Sequence, residues 1–70
     1  MSTWSSTKAR KVLAALKRIG WKSDRQVGSH VMLVREGWPE YTWSFHEGDE
    51  IGPKMLARIA KRTGLKPNDL

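Results

Sequence analysis

Two stripes of apolar residues at helical spacing, one near each end of the chain, enclose a middle stretch whose apolar residues recur at every second position. That change of period leaves few arrangements open. In the first stripe Ala9, Val12, Leu13, Leu16 and Ile19 share one side of a helix, and Lys8, Arg10, Lys11, Lys17 and Arg18 share the other. Ser6 or Thr7 is the expected N-cap and Gly20 the stop. In the last stripe Ile51, Met55, Leu56, Ile59 and Ala60 alternate with Lys54, Arg58, Lys61 and Arg62, with Pro53 in the first turn and Gly64 at the end. Between the stripes, Trp21 to Val27 reads as a strand, Gly28-Ser29 as a tight reversal, and His30 to Arg35 as a second strand. Glu36 to Glu40 is turn chemistry, after which Tyr41, Trp43 and Phe45 alternate with Thr42, Ser44 and His46 along a third strand. The expected class is α+β, in the order α-β-β-β-α. A three-stranded antiparallel sheet carries both helices on one face and leaves the other open.

Only one core fits into 70 residues, so a single domain over residues 7 to 65 is expected, with a lead-in at 1 to 6 and a tail at 66 to 70. The absence of cysteine excludes a disulfide framework and thiolate metal sites, and suits a reducing compartment. No apolar run approaches the roughly 20 residues of a membrane helix, and the polar start does not read as a signal core. The expectation is a cytoplasmic protein with no membrane partner.

The net charge of +6 is unevenly spread. Residues 1 to 27 carry seven lysines and arginines against Asp24, and residues 51 to 70 carry five against Asp69. Between them Glu36, Glu40, Glu47, Asp49 and Glu50 face only Arg35. Basic ends around an acidic middle suit a polyanion such as RNA on one side and a protein on another, although basic solvated helix faces are also common.

Candidate chemistry is sparse, with two histidines and no cysteine. His30 follows Gly28-Ser29 at the start of a strand, where the backbone holds the ring near a hairpin edge that solvent reaches. It is either a strand histidine paired with a neighbour or a general acid/base, because imidazole titrates near neutral pH and exchanges protons with a ribose hydroxyl or a leaving oxygen. His46 suits a structural or partner-contacting role better than a metal site, since two histidines without a carboxylate cluster make a poor cage. Neither a metal nor another cofactor is expected. Lys22 and Arg25 precede the turn, where a cation would stabilise charge on a phosphoryl group, and Gln26 would orient it. Both cations equally suit a solvated strand face. Ser29 lacks the surroundings of a nucleophile and reads as a turn residue. Tyr41, Trp43 and Phe45 read as core rather than as base-stacking platforms.

Gly28-Ser29-His30 after Arg25-Gln26, preceded by a basic amphipathic helix ending at Gly20-Trp21, resembles the HicA toxin family. The second half agrees: the strand Tyr41 to His46, then Ile51-Gly52-Pro53, then a basic helix from Met55 to Gly64. The resemblance covers about residues 8 to 65, departing at Ser44, where the family usually has proline, and at the inserted turn Gly37-Trp38-Pro39. It implies a fold like that of double-stranded-RNA-binding domains and metal-independent cleavage of mRNA. It also implies a catalytic histidine at His30 and inhibition by a HicB-type antitoxin. With His30 so placed, RNA contacts are expected from the neighbouring Lys22, Arg25, Gln26 and Ser29. The alternative is a non-catalytic module that binds duplex RNA by shape. A third reading is a protein-interaction domain whose acidic middle docks a basic partner.

Overall fold

A computed structural model describes residues 3–70. The elements run β1 (Thr7–Lys8), α1 (Ala9–Arg18), β2 (Lys22–Val27), β3 (His30–Val34), β4 (Tyr41–Trp43), β5 (Glu50–Ile51) and α2 (Pro53–Thr63), followed by a 3-10 turn, Pro67–Asp69. Strands β2, β3 and β4 form an antiparallel meander in that order, and β1 and β5 form a separate antiparallel pair. The expected α-β-β-β-α order with a three-stranded sheet is thus present. Its core joins Val12, Ala15 and Leu16 of α1 and Leu56 and Ile59 of α2 to Trp21, Leu33, Trp43, Ile51 and Leu65. Alternation puts Leu33, half-buried Val31, Trp43 and half-buried Tyr41 on one sheet face, and both helices pack there.

Three boundaries differ from expectation. Helix α1 begins at Ala9 with Lys8 as a cap that makes no side-chain hydrogen bond, rather than after a Ser6 or Thr7 cap. The backbone of Thr7 and Lys8 pairs with Ile51 and Glu50, and the Ala9 amide donates to the Asp49 carbonyl at 2.8 Å, so a neighbouring chain segment meets the need a cap side chain would meet. Trp21 belongs to the core rather than to a strand. Strand β4 stops at Trp43, yet Phe45 still packs on the core, its ring edge-to-face with Trp43 at 5.1 Å.

All six residues of β2 are exposed, because the helices cover β3 and β4 and leave this strand overhanging. Lys22, Asp24 and Arg25 and a register shift between Ser23 and Arg25 blunt this edge against further strand pairing.

The end of α2 is anchored through Thr63. Its carbonyl accepts from Trp21 Nε1 at 3.0 Å and Arg35 Nη1 at 3.2 Å, and its buried hydroxyl donates to the Ile59 carbonyl at 2.7 Å. The Arg35 guanidinium lies 5.1 Å from the centre of the Trp38 ring, which also meets Trp21 edge-on while staying 38% exposed, so the inserted turn folds back over the edge of the core. Gly64 caps the helix at φ +77°, and a Cβ there would sit 2.9 Å from Trp38 Cη2. Gly64→Ala therefore costs at least about 1–2 kcal/mol from the left-handed backbone alone. Gly48→Ala, with no atom within 4 Å and no positive φ, is near neutral. Paired urea melts check this contrast, and equal midpoints would refute it.

Candidate active site

The β2–β3 hairpin turns through two residues. Gly28 takes φ +62° while Ser29 stays at negative φ, the sign pattern of a type II′ turn, which favours glycine first. Val27 is thereby paired with His30, the first residue of β3. The His30 side chain is exposed and makes no hydrogen bond within the described residues. It is held by strand backbone and open to a ligand.

Alternation from Leu33 sends His30, Met32 and Val34 to the face away from the helices. Thr42 Oγ1 donates to Met32 Sδ at 3.6 Å on that face. The partners across β2 are Val27, Arg25 and Lys22. Arg25 is thus the diagonal neighbour of His30, a separation of about 7–8 Å in an antiparallel pair. Lys22 pairs with Val34, four residues along, or about 13 Å from His30 at ~3.3 Å per residue. Gln26 pairs with Val31 and belongs to the helix-side face, where its Nε2 donates to the Gly28 carbonyl at 3.1 Å.

The structure therefore brings Arg25 to His30, leaves Lys22 farther along the same face, and puts Gln26 on the other side. Ser29 joins Gln26, Arg10, Leu13, Phe45 and His46 around a helix-side groove of about 450 Å³. Arg10 was not a sequence candidate for a site, and Phe45 was weighed as a base-stacking aromatic but read as core. The signal for Phe45 was its place in the aromatic alternation, which reads equally well as core. His46 closes a loop in which its amide donates to Asp49 Oδ2 at 2.8 Å. Among the described residues no group of three or more histidines or carboxylates could hold a metal ion.

Charge is concentrated without pairing. The one ion pair among the described residues is Lys8 with Glu50, at 4.0 Å and exposed, and it contributes little. A second cationic cluster, Arg58, Lys61 and Arg62 on α2, surrounds Tyr41. Burial raises the Tyr41 pKa above the usual phenol value, and the Arg62 charge partly offsets the rise. A phenol with a raised pKa contributes stability that is complete below its unfolded-state pKa and is lost as pH rises through the folded value. Ultraviolet titration of this single tyrosine is expected to give a midpoint above 10, and a midpoint below 10 would contradict that environment.

Fold and site together define a two-layer α+β domain with a basic surface and an exposed histidine at the shoulder of a hairpin. A family model described as HicA toxin of bacterial toxin-antitoxin matches residues 9–65, from the start of α1 through Leu65, and the chain belongs to this family. Comparisons with curated proteins and with solved structures gave no match. No helix among the described residues is long and apolar enough to cross a membrane.

Proposed function

We propose that this chain is a cytoplasmic endoribonuclease toxin that cleaves mRNA, with His30 as general acid/base and a HicB-type antitoxin as its inhibitor. Supporting this is one arrangement: an imidazole exposed at the first position of β3, on the open sheet face, with Arg25 at the diagonal position across the hairpin. Neutral His30 accepts the proton of a ribose 2′-hydroxyl as that oxygen attacks the adjacent phosphorus. The bond from phosphorus to the 5′-oxygen breaks, its electron pair leaves with that oxygen, and the imidazolium or water supplies the proton. Arg25 holds the phosphate and stabilises charge building on its oxygens, and Lys22 contacts the strand farther along.

The products are a 2′,3′-cyclic phosphate and a 5′-hydroxyl. No metal takes part in this scheme, so cleavage of labelled mRNA is expected to persist in EDTA and to leave cyclic phosphate ends. Loss of activity in EDTA with recovery on adding a divalent ion would overturn the scheme. Binding without any product would make the chain a non-catalytic RNA-binding module instead.

A further inference from the structure

The helix-side groove is a consequence of the overhanging hairpin. Strand β2 extends past the helices, so the turn and α1 enclose a space of about 450 Å³ floored by Val31 and Phe45. That volume is within the roughly 300–1,000 Å³ of small-ligand sites. Phe45 is half-buried and its ring is braced edge-on by Trp43, at an interplanar angle of 62°. A rigid aromatic of this kind offers a stacking surface.

The polar lining suits the edge of a heterocycle. Gln26 spends its Nε2 on the Gly28 carbonyl and keeps its side-chain oxygen as an acceptor, and the Ser29 hydroxyl both donates and accepts. The Glu47 carboxylate accepts from ring or exocyclic N–H groups and disfavours phosphate inside the groove. Arg10 supplies a cation without an ion-pair partner among the described residues.

We infer that this groove receives an unpaired nucleobase of an RNA strand whose backbone passes over the Gly28-Ser29 turn to His30. The inference rests on the RNA-cleaving reading and adds that the substrate is single-stranded next to the cleaved bond. Ser29 lies in the groove and His30, the next residue, on the opposite sheet face, so a strand crossing the turn reaches both. Space beside the turn is open, with no atom within 4 Å of a Cβ built on Gly28. A base in a duplex has its edge paired and its faces stacked, and offers the groove neither.

The test uses the His30→Ala protein, labelled with ¹⁵N and titrated with a mixed-sequence single-stranded hexaribonucleotide or with the same sequence as a duplex. Amide shifts at Leu13, Gln26, Ser29 and Phe45 are expected with the single strand and not with the duplex. Phe45→Leu, which keeps apolar filling but removes the stacking face, weakens single-strand binding about tenfold or more. Arg10→Gln, at an exposed helix position, also weakens binding and lowers its salt dependence, which guards against a folding defect in the Phe45 variant. Single-strand binding without shifts at the groove, equal shifts with duplex, or undiminished affinity in a folded Phe45→Leu protein each overturns the inference. Groove shifts in a protein whose His30 form cleaves nothing would sustain the groove and overturn only the ribonuclease reading.

Discussion

Replacing His30 with alanine is expected to lower RNA cleavage by roughly 10²–10⁴-fold, the usual contribution of a positioned general acid/base, and to relieve growth arrest on induction. The fold is expected to survive. The ring is exposed and makes no hydrogen bond within the described residues, so its loss creates no cavity and leaves no polar group unsatisfied. An unfolding free energy from urea melts within about 0.5 kcal/mol of the wild-type value together with lost cleavage is the predicted pair of results. Full cleavage by the variant removes His30 from the mechanism, and a large loss of stability would make any loss of activity uninformative about chemistry. Arg25→Ala provides the graded companion: binding of phosphate weakens, while His30 chemistry remains.

Trp21→Ala is expected to be the most damaging change to folding. The indole is 1% exposed, meets Trp38 and Tyr41 edge-on at 6.1 and 6.3 Å, and donates to the Thr63 carbonyl at the end of α2. Truncating a buried tryptophan costs about 3–5 kcal/mol. A 70-residue domain at about 0.05–0.15 kcal/mol per residue has only ~4–10 kcal/mol in total. A melting temperature lowered by more than about 10 °C follows, given ~4–8 °C per kcal/mol in domains of this size. Circular dichroism measures it, and a drop of only a few degrees would mean that Trp21 does not join the sheet to α2 as described. Trp21→Phe should lie between the two proteins, because Thr63 keeps its bond from Arg35 while most of the ring volume remains.

Much of the architecture can be read from local pattern, because both helices carry a continuous apolar stripe and the hairpin carries a glycine where its turn needs positive φ. The β1–β5 pair could not be read in this way. Two residues have no period to detect, and Thr7 meets Ile51 only once the core has brought them together. The N-cap was misplaced for the same reason, since the Asp49 carbonyl that satisfies Ala9 comes from a distant part of the chain. Trp38 gave a similar result: its turn reads as an insertion, and only the packed structure seats it against Gly64 and Arg35.

The candidate site divides along the same line. Gly28-Ser29-His30 and the basic residues before it are local, and the residue order alone sets His30 at the head of a strand, since a glycine-led two-residue turn pairs the flanking positions. Which residues share its face is not local. Lys22 and Arg25 are three positions apart and would point to opposite sides of a regular strand, and it is the register shift around Asp24 that returns them to one side. Gln26, paired with Val31 by the turn itself, stays on the helix side, where it lines a groove with Ser29, Phe45 and Arg10, residues from three separate segments. Periodicity and turn chemistry act over a few residues and are written into the chain directly, whereas a bulge and a groove exist only where packed elements settle which register and which overhang bury the most apolar surface.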